Sequence, residues 1–435
     1  MLSFLIVVVC IALLIFLISW IKVNTFVAFV IVSIFAGVLL GLPANQIPNA
    51  IQKGIGDTLG SLMMVLLFGA MIGKLVANSG AAEKISIVML KVFGEKHITW
   101  ALMLTGFVVG IPLFYNVGFV LLVPLIFSIV YRLKLPAVYV GIPMLAALSV
   151  THGLLPPHPS PAALVTQLQA DMGKTLIYGI LIAIPSIILA GPVFASTLKK
   201  ITTEPLQTFK PSFIAENELP GFLNSVVTCL LPVFILLATT LIQLNSLSIH
   251  PAIKFIAEPG ILMLISLMYA TFSLGIFRGK KTEEIMQNYA DAIKDILIIV
   301  MIVSGAGALK QVFVESGISA QLGDVMNTWD LPPLFLGWLI AAVIRVAMGS
   351  ATVAGITTAG IIAPLVITTN TDPNLMVLAV GSGSLMFSHV NDSGFWMFKE
   401  YFNLSMKDTF RSWSLMETIV SVMGLIGVLI IDKMI

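Results

Sequence analysis

Apolar runs of about 20 residues, separated by short polar joints, recur along the whole 435-residue chain. A hydrocarbon core about 30 Å thick takes roughly 20 helical residues to cross, so such runs read as membrane spans. Leu2 to Ile21, Phe26 to Leu42, Thr58 to Asn78, Ala137 to about Ala170 and Leu176 to Leu198 each fit one span. Later in the chain Phe222 to Leu244, Ile261 to Phe277, Ala292 to Val314, Met376 to about Lys399 and Trp413 to Ile431 do the same. Two apolar segments are too long for one ordinary span and carry helix-breaking residues in the middle. Ile98 to Tyr131 is interrupted by Gly110, Pro112, Asn116 and Gly118, and Leu331 to Thr369 by Gly349-Ser350-Ala351-Thr352, which predicts a re-entrant helical hairpin at each.

The order of spans and hairpin in the first half repeats in the second. Lys74 and Lys310, His152 and His389, Lys174 and Arg411, and Pro124 and Pro364 pair at a common offset of about 237 residues. Five spans is an odd number, so the second half enters the membrane upside down, an inverted repeat. The expected fold is therefore all-α and polytopic, with about ten transmembrane helices, two re-entrant hairpins and broken helices at the midplane. Residues 1–201 form the first repeat, 202–218 a polar cytoplasmic linker and 219–435 the second repeat. With both termini periplasmic, most of the 23 basic residues, among them Lys84, Lys91, Lys96, Arg132, Lys134, Lys199, Lys200, Arg278, Lys280 and Lys281, fall in cytoplasmic loops. That is the asymmetry the positive-inside rule requires. Arg278 to Asp295, with both charge signs, reads as a solvated loop face. Lys74 and Lys310, near span ends, read as snorkelling to an interface.

Composition agrees: 58% of residues are hydrophobic and only 10% charged, against roughly a quarter charged in a soluble domain. Leu2 to Ile21 lacks a basic start and a small-residue cleavage site, so it reads as a retained span. A net charge of +2 gives no footprint for nucleic acid, and Cys10 and Cys229 lie in apolar runs as small core residues. There is no HExxH zinc motif and no phosphate-binding GxxxxGK[ST], so a metalloprotease and a nucleotide-driven pump both lack their machinery. Gly54-Ile55-Gly56-Asp57 matches the GxGD of intramembrane aspartyl proteases but has no partner motif in another span. The chain is read as a non-enzyme with no cofactor and no metal site.

Two polar interruptions carry the candidate chemistry. The first, SVTHGLLPPHPSP, puts Thr151, His152, Gly153 and His158 among four prolines, which break a helix and free its carbonyls to face a ligand. The second, FSHVNDSGFW, places Ser388, His389, Asn391 and Asp392 inside a span, where an acidic group is costly unless paired or protonated. Asp392 reads either as a proton or cation carrier or as a helix cap at the break. His152 reads as a hydrogen-bonding or proton-carrying group, or as a core histidine satisfied by a carbonyl. At the second hairpin tip, Gly349, Ser350 and Thr352 precede a helix N-terminus that attracts anions, and Arg345 one turn earlier can grip a carboxylate bidentately.

Over nearly its whole length the chain resembles the gluconate permease family of bacterial gluconate:proton symporters. The resemblance rests on LGSLMMVLLFGAMIGKL, on SVTHGLLPPHPSP followed by ADMGKTLIYG and LAGPVFA, on RVAMGSATVAG, and on GSGSLMFSHVNDSGFWMFKEYFNLS. It implies proton-driven uptake, by alternating access, of D-gluconate or a close sugar acid across the bacterial inner membrane. Related folds imply a homodimer. On this reading Arg345 and the helix ends hold the substrate carboxylate. Thr151, His152, Ser350, Thr352, Ser388, His389 and Asn391 bond its hydroxyls, and Asp392 or His152 carries the proton. One departure stands out: where family members typically carry a glutamate in the first hairpin, this chain has Phe114-Tyr115-Asn116-Val117-Gly118. If that glutamate is the coupling group, the chain binds substrate and couples poorly; if Asp392 or His152 titrates, Asn116 is a neutral hydroxyl binder. A sodium-coupled carrier of another hydroxy-carboxylate, such as idonate, fructuronate or glycerate, is the alternative. A channel and a membrane enzyme are the rivals from other classes.

Overall fold

The structure, a computed structural model, describes residues 2–113, 115–201, 203, 218–245, 250–317, 331–390 and 392–435. Among these residues every regular element is helical. Seven helices are long and apolar enough to cross a membrane: Ile47–Asn78, Ala137–Gln167, Met172–Thr197, Phe222–Gln243, Pro259–Arg278, Thr282–Glu315 and Met406–Asp432. Leu5–Ile18, Thr25–Leu39, Pro333–Met348 and Ala351–Ala363 are shorter apolar helices.

Two helices are longer than the sequence reading allowed. Thr58 to Asn78 is the second part of a 32-residue helix that starts at Ile47, with Pro48 in the first turn where its missing N–H costs nothing. Ala292 to Val314 belongs to Thr282–Glu315, 34 residues long. The stretch read as a loop face up to Asp295 is therefore helical from Thr282 onward. Its mixed charges sit at spacings that a helix surface accommodates, as in the Asp291–Lys294 pair at 3.1 Å.

These two long helices pack along each other at glycines. A Cβ on Gly54 would lie 2.3 Å from the Gly307 carbonyl oxygen, and one on Gly307 would lie 2.1 Å from Thr58 Oγ1. Only a side-chain-free residue permits that approach. Lys74, read as snorkelling, pairs with Asp295 of the facing helix at 2.8 Å. Lys310 Nζ donates to the Gln167 carbonyl at 2.6 Å.

Ala137–Leu154 has nearly every residue buried, and it packs on Ile98–Gly110, Tyr115–Leu133, Met172–Ile188 and Leu415–Asp432. The chain breaks after Leu154 and resumes as Pro159–Gln167, as the proline cluster predicts. The second interruption also breaks the helix, between Pro373–Gly383 and Ser393–Tyr401. Each long segment is two helices: Ile98–Gly110 with Tyr115–Leu133, and Pro333–Met348 with Ala351–Thr368. In the first of these the break lies just after Gly110, at Pro112. Asn116 and Gly118, read as part of the break, are already within the following helix. The linker at 202–218 falls, apart from Thr203 and Glu218, outside the described residues.

Candidate functional site

The two broken spans meet at their breaks. A Cβ on Gly381 would lie 2.4 Å from the Gly153 carbonyl oxygen, and one on Gly153 would lie 2.5 Å from the Leu385 side chain. Gly153 thus serves the close approach of the two breaks. Around this contact a cavity of about 300 Å³ opens between the Arg345 end of Pro333–Met348, the start of Ala351–Thr368 and the first turn of Leu415–Asp432.

Local chemistry sets the second tip. Gly349 takes φ +75°, a left-handed value that glycine adopts without strain, and its N–H donates to the Arg345 carbonyl at 2.9 Å, ending the helix. Ser350 Oγ accepts from Val353 N at 3.3 Å and starts the next helix. The N-terminal turn of Ala351–Thr368 therefore faces the cavity, where Gly349, Ser350, Ala351 and Thr352 line the wall. Aligned peptide dipoles leave partial positive charge there.

Arg345 is 3% exposed. Its Nη2 donates to Asp392 Oδ2, which also accepts from Ser388 Oγ. Asp392 Oδ1 accepts from Gly394 N at 2.9 Å and caps Ser393–Tyr401. Asp392 thus acts as the helix cap that one reading expected, and it also lines the cavity. Among the described residues Nε and Nη1 of Arg345 have no hydrogen-bond partner although they are buried. Tyr115 OH and His152 Nδ1 are in the same condition, and both residues line this cavity. Such groups are costly to bury unpaired.

The other sequence-named residues divide. His152 faces the cavity, with Nε2 at 3.5 Å from Thr352 Oγ1 and its ring edge-on to His158 at 4.6 Å between centroids. His158 lies behind it, bonded through Nε2 to the Leu113 carbonyl at 3.2 Å, and joins the two breaks of the first half. Thr151 turns away and donates to its own helix at Leu148. Ser388 sits under Asp392 and accepts from Trp413 Nε1 at 2.7 Å. His389 is half-buried, bonded to the Val346 carbonyl at 2.9 Å and away from the cavity wall. Asn116 is on the first turn of Tyr115–Leu133, beside Tyr115. Asn391 lies outside the described residues.

Several wall residues were not singled out from sequence: Tyr115, Ser149, Trp413 and Glu417. Glu417 is 3% exposed and accepts from Ser149 Oγ at 2.8 Å. The signal that marked Asp392, a carboxylate within an apolar span, was also present at Glu417 and identifies it. The remaining wall is apolar, from Ile296, Ile298, Ile299 and Ile302 of Thr282–Glu315, with Asp295 from the same helix. Among the described residues no group of three or more His, Cys, Asp or Glu side chains has metal-binding geometry.

Comparison with known proteins gives a consistent picture. Residues 2–435 match the sequence model of the family described as GntP family permease. The chain is 46% identical to the high-affinity gluconate transporter of Escherichia coli K12, over 95% of each chain. It is 44% identical to the Gnt-II system L-idonate transporter of the same organism, over 97% of each. Identity to the gluconate permease of Bacillus subtilis is 42%, over 96% of this chain and 97% of that one. Among solved structures it is similar to the Alcanivorax borkumensis YdaH transporter, with a TM-score of 0.65 and 14% identity over 94% of this chain and 97% of that one. Neisseria gonorrhoeae MtrF gives a TM-score of 0.63 at 15% identity, over 94% and 93%. At those identities the likeness concerns the fold alone.

Proposed function

Because the chain belongs to the GntP permease family, we propose that it is a secondary transporter that imports D-gluconate or a close sugar acid by proton symport with alternating access. The names of the relatives at 42–46% identity support the substrate class. The observation that carries the reading is the pair of unpaired nitrogens of buried Arg345, Nε and Nη1, in a cavity of about 300 Å³. The unpaired Nε–H and Nη1–H of a guanidinium point in different directions, so one takes a carboxylate and the other a hydroxyl of the same ligand, and the adjacent helix N-terminus favours the same charge. Around it, Tyr115, His152, Ser350 and Thr352 offer hydroxyl and imidazole groups, while Asp392 and Glu417 offer acceptor oxygens. A polyhydroxylated monocarboxylate satisfies both kinds of group. An analogue lacking hydroxyls leaves them unpaired, which is how such a site discriminates.

The same reading takes the two halves, 1–201 and 219–435, as an inverted repeat, with each two-helix segment re-entering from its own side. It places the protein in the bacterial inner membrane, termini periplasmic, as a homodimer. The breaks at Leu154 and Gly383, and the helix pairs at 98–133 and 333–368, support that arrangement because discontinuous helices tolerate midplane backbone only around a cavity. Uptake of radiolabelled gluconate into proteoliposomes under an imposed pH gradient tests the function; absence of both binding and counterflow would sink it. Idonate is the second substrate to assay, given the L-idonate transporter among the relatives. Replacing sodium by choline leaves uptake unchanged under proton coupling and abolishes it under sodium coupling.

A further inference from the structure

The two carboxylates of the cavity are not in equivalent surroundings. Asp392 is held by the Arg345 guanidinium, the Ser388 hydroxyl and the Gly394 N–H, so its charge is fully compensated. Glu417 has one neutral donor, the Ser149 hydroxyl, and no cation pairs with it among the described residues. It is nevertheless buried, and an uncompensated ion in such a place costs several kcal/mol unless it finds a counter-charge or a proton. The cation within the same cavity that still has capacity is Arg345, through Nε and Nη1.

Resting on the gluconate reading, we propose that Glu417 is the proton-coupling residue and that it competes with the substrate carboxylate for the positive charge of Arg345. In the empty carrier the positive charge of Arg345, across the cavity and with Nε and Nη1 unpaired, holds Glu417 ionised while its carboxylate accepts from Ser149 Oγ. When a sugar-acid carboxylate takes that charge, Glu417 loses its counter-charge beside a second anion and takes a proton from the solvent on the open side. When the substrate leaves on the other side, the carboxylate regains Arg345 and the proton departs to that solvent. One proton and one monoanion move together, so the empty and loaded cavities carry the same net charge. Asp392 stays bonded to Arg345 throughout and acts as a positioning residue.

The groups that face Glu417 permit this. Ala137–Leu154 presents Ser149 and His152, Tyr115–Leu133 presents Tyr115, Pro333–Met348 presents Arg345, and the second break presents Asp392. Thr282–Glu315 contributes Asp295, itself paired with Lys74, and otherwise isoleucines. Met172–Ile188 and Pro373–Gly383 meet the Glu417 helix further along, at Gly427 against Ile182 and at Gly424 against Ser382. No second cation faces Glu417 from these elements among the described residues.

The test uses the full chain and its Glu417→Gln variant in proteoliposomes with D-gluconate. Two rates are measured: counterflow without a gradient, and accumulation after a pH step, with external alkalinisation followed in weak buffer. For one proton per monoanion, a two-unit step supports about 100-fold accumulation in the parent chain. In E417Q the ratio of gradient-driven accumulation to counterflow falls at least tenfold and the alkalinisation disappears. Accumulation and alkalinisation at the parent's ratio in E417Q overturn the inference. That outcome is distinct from failure of the substrate reading, which appears as absent counterflow in the parent chain and removes the inference with it. Should E417Q fail to fold, Ser149→Ala keeps the carboxylate and alters the strength of its single hydrogen bond. The pH midpoint of accumulation then moves by about one unit, and a midpoint that stays where it was refutes the assignment.

Discussion

Replacing Arg345 by glutamine separates what that residue does for the fold from what it does for the ligand. Its side chain is 4% exposed and that of its partner Asp392 is 14% exposed, so the ion pair is largely out of solvent. Removing one member of a buried pair strands the other charge, at a cost of about 3–5 kcal/mol. In this chain the stranded group is Asp392, which keeps only Ser388 and the Gly394 N–H. Arg345→Gln is therefore expected to melt well below the parent in detergent, followed by intrinsic fluorescence. Adding Asp392→Asn removes the stranded charge while an asparagine still caps Gly394 N, so the double variant recovers most of the lost stability. Binding behaves differently. Two charge-assisted hydrogen bonds from Nε and Nη1, one to the ligand carboxylate and one to a ligand hydroxyl, are worth about 1.5–3 kcal/mol each, so losing them weakens gluconate binding by about two to four decades in Kd. The double variant does not recover this loss. Equal melting temperatures for the single and double variants would refute the account of the pair. Recovery of binding in the double variant would refute the assignment of the two unpaired nitrogens to the substrate.

Three further outcomes follow. If one proton accompanies each monoanion, a potassium diffusion potential leaves accumulation unchanged. Movement of one net charge would instead alter it about 50-fold per 100 mV, from about 2.3 kcal/mol per charge. The parent chain accumulates gluconate without Asn116→Glu; accumulation confined to N116E, in parallel proteoliposome assays, moves the coupling group to the Tyr115–Leu133 helix. On Ile47–Asn78, Gly54→Ala drives a methyl to 2.3 Å from the Gly307 carbonyl oxygen and lowers stability by about 1–3 kcal/mol. Gly56→Ala, two residues on with nothing within 4 Å, raises it by about 0.5–1 kcal/mol. Thermal melts of the two variants check the contrast.

The interruptions were legible because their causes are local. Pro156 and Pro157 after Leu155 cannot continue a helix, and Gly349 at a positive φ ends one, whatever surrounds them. Apolar runs long enough to span a bilayer are likewise countable, although their starts were misjudged where polar turns extend a helix beyond the apolar run, as at Ile47 and Thr282. The break near Pro112 was placed too broadly, since Asn116 and Gly118 are tolerated within a helix held by its neighbours.

By itself, then, the sequence determined a helical membrane protein with two broken spans, two interrupted long segments and a set of polar residues near those breaks. Which of these residues share a cavity was decided only by tertiary structure. Arg345 and Asp392 are 47 positions apart, and Ser149 and Glu417 are 268 apart. No periodicity encodes a contact across such distances. It is packing, through glycine contacts such as Gly153 against Gly381, that brings the breaks together. The same packing turns Thr151 and His389 away and leaves one cavity carboxylate, Asp392, paired with a cation and the other, buried Glu417, without one among the described residues.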